Sequence, residues 1–89
     1  DLTTDYLRAY PNPVADLLTV NYRCSQSENI QLLLYNSNGK IVKQLGSFAH
    51  DGGNSEAFVR CWVGDLPQGF YVLHFVGAST TLTHKLIKK

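Results

Sequence analysis

Clusters of Pro, Gly, Asn and Asp interrupt this sequence at short, regular intervals, and that punctuation constrains its fold more than any other feature. The interruptions are Pro11-Asn12-Pro13, Ser37-Asn38-Gly39-Lys40, His50-Asp51-Gly52-Gly53-Asn54, Gly64-Asp65-Leu66-Pro67-Gln68-Gly69 and Gly77-Ala78-Ser79. Between them, the i, i+3, i+4 spacing of apolar residues that a helix needs is nowhere sustained. The segments alternate instead. Leu18, Val20 and Tyr22 share one phase of Asp16–Arg23, with Thr19 and Asn21 on the other. Ala57, Val59, Cys61 and Val63 share one phase of Glu56–Val63, with Phe58, Arg60 and Trp62 opposite. A period of two is that of a strand with one buried face.

The expected strands are Tyr6–Tyr10, Asp16–Arg23, Ile30–Tyr35, Lys40–Leu45, Glu56–Val63, Phe70–Val76 and Thr80–Ile87. Two prolines so close together cannot both join a ladder, so Pro11-Asn12-Pro13 is a bend. Asn38-Gly39 favours the positive φ angles of a type I′ turn, which folds Lys40–Leu45 back antiparallel. The His50–Asn54 cluster reads as an exposed loop. Seven short strands in this length match an immunoglobulin-like antiparallel β-sandwich. Its expected core holds Leu18, Val20, Leu32, Leu34, Val59, Val63, Tyr71, Leu73 and Phe75.

Eighty-nine residues leave room for one core. An apolar share of 44% with 17% charged residues is that of a folded domain, not a disordered tail. The net charge of +1 gives no general pull towards nucleic acid. No apolar run approaches the roughly 20 residues of a membrane helix. The chain lacks Met and begins at Asp1, so it is expected to be a piece of a longer precursor.

No catalytic constellation emerges, so no enzyme is expected. A nucleophile needs a base in reach and the base an orienting group. His50 falls in a predicted loop and His74 and His84 on predicted strands. His74 and His84 become neighbours if the last two strands pair, but two histidines are only half a metal site. Asp16, Glu28, Asp51, Glu56 and Asp65 fall at strand ends or loops, where capping turns is their ordinary role. No cofactor or metal is expected. Cys24 and Cys61 both lie on inward phases. They either form an inter-sheet bridge or pack as small buried hydrophobes. Phe58 and Trp62 form a candidate contact patch, set against the plain alternative that a loop covers them.

Four segments, in order, carry a resemblance. They are Tyr10-Pro11-Asn12-Pro13; Leu34-Tyr35-Asn36-Ser37-Asn38-Gly39-Lys40-Ile41-Val42; Asp65-Leu66-Pro67-Gln68-Gly69-Phe70-Tyr71-Val72-Leu73; and Lys85-Leu86-Ile87-Lys88-Lys89. Together they resemble the C-terminal sorting domain family of the type IX (Por) secretion system. The resemblance spans Tyr10 to Lys89, with Tyr10, Pro11, Asn12, Pro13, Gly39, Lys40, Leu66, Gly69, Tyr71, Lys85, Leu86, Ile87, Lys88 and Lys89 as its motif positions. Trp62 stands where a polar residue is more usual, and both cysteines are unusual for the family.

The resemblance implies an address label carried at the end of an exported protein. It implies recognition by the outer-membrane translocon, removal by a sortase-like peptidase, and cargo joined to the surface. The location implied is the periplasm in transit, then the outer-membrane surface or the medium. On this reading residues 10–89 are the sorting domain, and residues 1–9 a linker with a first strand. An end strand suits β-augmentation, and three terminal lysines suit an acidic receptor. Tyr6–Tyr10, beyond its proline hinge, is expected to be weakly held and open to strand exchange between two copies. The terminal lysines are expected to fray, adding little stability. Two other classes compete: a carbohydrate-binding or adhesive module using Phe58, Trp62 and tyrosines, and a structural spacer.

Overall fold

The computed structural model describes residues 5–23, 27–51, 56–78 and 80–89, with 27, 28, 50 and 51 by backbone alone. Seven strands form: β1 (Tyr6–Tyr10), β2 (Leu17–Arg23), β3 (Ser27–Asn36), β4 (Ile41–Asp51), β5 (Glu56–Trp62), β6 (Gly69–Gly77) and β7 (Thr81–Lys88). They make a three-stranded sheet ordered β1-β2-β5 and a four-stranded sheet ordered β4-β3-β6-β7, every pairing antiparallel. This is the expected immunoglobulin-like sandwich, three strands on four.

The alternating phases become the two inner faces. Leu18, Val20 and Tyr22 from β2 meet Leu32 and Leu34 from β3 and Tyr71, Leu73 and Phe75 from β6, all buried. The Tyr22 and Phe75 rings, 5.1 Å apart and tilted by 54°, couple the two sheets. Such a tilted contact adds to the area term. Val59, expected in the core, packs against it only partly buried, because β5 is an edge strand. Leu7 and Ala9 of β1 also enter the core. The expected weak hold on Tyr6–Tyr10 is therefore corrected: β1 pairs with β2 through five residues, Tyr6 opposite Arg23 to Tyr10 opposite Thr19.

Three local expectations are also revised. The hairpin at Asn38-Gly39 is not type I′, which needs positive φ at both central residues. Only Gly39 has it, at 81°. The Gly39 amide donates to the Asn36 carbonyl and the Asn36 amide to the Lys40 carbonyl, closing a three-residue loop. The Asn36 side-chain oxygen accepts from the Asn38 and Lys40 amides, so the asparagine before the turn organises it. Second, His50 and Asp51 belong to β4 rather than to a loop, with His50 opposite Glu28; Gly52–Asn54 lie outside the described residues. Register shifts between Leu32 and Leu33 and between Leu34 and Tyr35 let β4 run on past Leu45. Third, Asn21, on the polar phase of β2, is buried. Its amide donates to a Glu56 carboxylate oxygen at 3.1 Å and to the Ala57 carbonyl at 3.2 Å.

The Tyr6 hydroxyl donates to that same Glu56 oxygen, so β1 and β5 are tied across β2. That hydrogen bond, then the Asn21 amide, holds the Glu56 carboxyl below its ordinary pKa, and the Tyr6 hydroxyl is pushed up. A lowered folded-state pKa means the contribution is present above the ordinary glutamate value and is lost as pH falls through the depressed one. Acidification should accordingly lower the hydrogen-exchange protection of β1 amides before that of β3. Glu56→Gln should remove the difference, and equal protection of both strands throughout would contradict the tie.

Candidate functional site

Topology brings the four motif segments to one end of the sandwich. β3 ends at Asn36, opposite Tyr71 near the start of β6, and Tyr71 is opposite Leu86 near the end of β7. Gly69 pairs with Lys88, and Val14, just past the prolines, forms a parallel bridge to the same Lys88. The Asn36–Lys40 hairpin, the Asp65–Gly69 turn, the Pro11–Val14 bend and the Lys85–Lys89 terminus therefore surround one edge.

Asn12 is the residue that joins the first motif to the last. Its side-chain oxygen accepts from the Ile87 amide at 2.9 Å, and its side-chain nitrogen donates to the Lys85 carbonyl at 3.2 Å. A primary amide offers one acceptor and donors on one planar group, so it imitates a strand peptide. Two residues on, the Val14 amide donates to the Ile87 carbonyl and the Lys89 amide to the Val14 carbonyl, both at 2.8 Å. Residues 12–14 thus cover the free edge of β7 from Lys85 onward, as far as Lys89 beyond its end. Both peptide bonds entering Pro11 and Pro13 are cis.

The central motif is held by its own contacts. The Tyr71 hydroxyl donates to the Pro67 carbonyl four residues upstream at 2.6 Å, the corner tie seen in immunoglobulin-like sandwiches. Gly69 has φ of 154°, which disfavours any side chain, and the Leu66 amide donates to the Val63 carbonyl. Lys43 of β4 reaches Asp65 at 2.7 Å and holds its carboxyl below the usual range. The pair is solvent-exposed on the Asp65 side, so its weight is small.

The terminal lysines depart from expectation. Lys88 is 6% exposed, on the inward phase of β7, and its ammonium donates to the Lys89 carbonyl. Of the three terminal lysines, Lys85 and Lys89 alone stand exposed. The expectation of a frayed end fails because residues 12–14 act as a further strand beside it.

Sequence reasoning missed Phe70. Tyr71, Leu73 and Phe75 point inward, so Phe70 and Val72 face out on the four-stranded sheet. Phe70 is 69% exposed, opposite the half-exposed Ile87. With Val72, Lys85, Asn12 and Ser37 they line a groove of about 370 Å³. The alternation in Phe70–Phe75 was the available signal.

The remaining candidates separate from this end or from one another. Phe58 and Trp62 lie on the outer face of the three-stranded sheet, 61% and 58% exposed, beside Arg60. Trp62 is opposite Leu17 and Phe58 opposite Asn21. No loop among the described residues buries them. β6 and β7 do pair, but His84 is opposite Leu73 and His74 opposite Thr83, which puts the two histidines on opposite faces. His74 stacks against Tyr35, with ring centroids 4.1 Å apart. Among the described residues no cluster of three or more His, Cys, Asp or Glu side chains could hold a metal. Cys61 is a free thiol beside Leu18, buried, and burial pushes its pKa up. Cys24, the other half of the bridge that is one of the two alternatives, lies outside the described residues.

Comparison with known proteins places this geometry. A search of curated proteins finds no match. Among solved structures, the sensor domain of the anti-sigma factor RsgI4 of Pseudobacteroides cellulosolvens is similar in fold. The TM-score is 0.60 over 96% of each chain at 14% identity, so the likeness is one of architecture alone. The family model described as "Secretion system C-terminal sorting domain" matches residues 8–89, a span that holds all four converging segments and β2 through β7. The chain belongs to that family, the C-terminal sorting domains of type IX secretion.

Proposed function

We propose that this domain directs a cargo protein across the outer membrane and is removed once the cargo is outside. Membership of a sorting family supports type IX recognition and export to the surface or medium. The observation that carries the reading is the convergence of four segments, as far apart in sequence as Asn12 and Ile87, on one end of the fold. Stability alone would not require that end to carry an exposed Phe70 and Lys85. On this reading residues 10–89 form the label and residues 1–9 lead into it. The translocon and a sortase-like peptidase are its partners, the periplasm is its transit compartment, and the cargo ends attached to the surface. It works as a substrate, without catalysis or cofactor.

Processing gives the test. A reporter fused ahead of Asp1, in a host with a type IX system, should appear outside the cell shortened by about the 9.9 kDa of the domain. Full-length reporter held in the periplasm would sink the reading. Export at full length would remove cleavage from it.

A further inference from the structure

We infer that the Phe70–Ile87 groove is a docking site for an extended, acidic stretch of a partner protein, one apolar side chain of which inserts beside Phe70. The inference rests on the sorting reading and assigns its contact surface.

The apolar mouth of the groove is made by Phe70 and Ile87, which the core does not use. Phe70 and Ile87 are cross-strand partners on the outer face of the four-stranded sheet, and both remain exposed while their neighbours Tyr71 and Leu86 fill the core. Phe70, Ile87 and Val72 form a contiguous apolar patch of the kind that marks contact surfaces, and aromatic anchors dominate interface energetics. Its volume of about 370 Å³ is at the small end of binding pockets, enough for a side chain rather than for a large ligand. The polar rim is fixed in place. Asn12 uses both ends of its amide on β7, and so holds the groove wall rather than competing for a ligand.

Charge selects the partner. Lys85 lines the groove, and no acidic side chain does. No acidic side chain follows Asp65 in the sequence, and Asp65 is engaged by Lys43. A carboxylate beside the inserted side chain therefore meets an uncompensated ammonium. One lining lysine is well short of the four to eight basic residues, roughly, that mark an anionic-lipid site. A symmetric contact through this groove would bring two Lys85 ammoniums into one interface with no acidic lining residue to meet them, so a second copy is disfavoured too.

The test uses the reporter fused ahead of Asp1, its delivery to the surface, and the melting temperature of each isolated domain. Phe70→Ser and Lys85→Glu should each cut surface delivery about tenfold or more. Their melting temperatures should stay within about 4 °C of the parent, because both side chains are exposed. Phe70→Leu should retain delivery, since it keeps an apolar anchor. If Phe70→Ser destabilises the fold, Lys85→Glu with a Lys85→Arg rescue decides the matter alone. A folded double variant delivered as well as the parent overturns the groove. If deletion of the domain still strands the reporter, the sorting reading survives that result; delivery without the domain overturns both. Sedimentation of the domain with vesicles of equal parts phosphatidylethanolamine and phosphatidylglycerol, lost in Phe70→Ser, would overturn a protein partner. A dimer lost in Phe70→Ser would do the same.

Discussion

Phe75→Ala should cost the isolated domain about 3–5 kcal/mol, a large share of the stability of a domain this small. Phe75 is fully buried on β6, opposite Leu32 on one side and Leu82 on the other, with its ring against Tyr22 of the facing sheet. Removing the ring loses its transfer free energy and leaves a cavity between layers that strands cannot easily collapse, about 3–5 kcal/mol in comparable cores. A stability of about 0.05–0.15 kcal/mol per residue gives an 89-residue domain about 4–13 kcal/mol in all. The substitution thus removes between about a quarter and all of it. Urea denaturation followed by circular dichroism measures the change, and a loss under about 1 kcal/mol would contradict the two-layer core.

Removing Lys88 and Lys89 is the second large effect, and it reverses what the sequence suggests. Exposed terminal residues ordinarily contribute a few tenths of a kcal/mol. Here the truncation deletes the hydrogen bond from Lys89 to Val14, the Val14–Lys88 bridge and the buried stem of Lys88. It also uncovers Val14, which is fully buried. One strand-type hydrogen bond and that apolar area together amount to about 1–3 kcal/mol. The same denaturation experiment should show this loss, with increased exchange at the Ile87 amide as the edge opens. An unchanged midpoint would mean that residues 12–14 do not hold the terminus in solution.

Alternation made the strands legible because each has one buried face, and it placed Leu18, Leu34, Leu73 and Phe75 correctly. Alternation also carries the burial of Lys88, which shares the inward phase of Leu82 and Leu86; a charged residue at a chain end points the other way, towards fraying, and the phase prevails. Periodicity could not reveal the reach of β4, because its two register shifts change the phase along the strand. It could not reveal the burial of Asn21, which depends on Tyr6 and Glu56 meeting from two other strands. The Asn12 clamp was hidden for the same reason. Its partners lie 73 and 75 positions away, and only the sheet order brings them together. The motif segments were legible as words; that they form one surface was legible only in the fold.

The most direct measurement of the central claim is the surface fraction of a periplasmic reporter, with and without this domain fused at its end. It is taken in a type IX strain and in a derivative lacking the translocon. The account predicts surface reporter only where domain and translocon are both present. Equal surface delivery without the domain, or with the domain in the translocon-deficient strain, would contradict it.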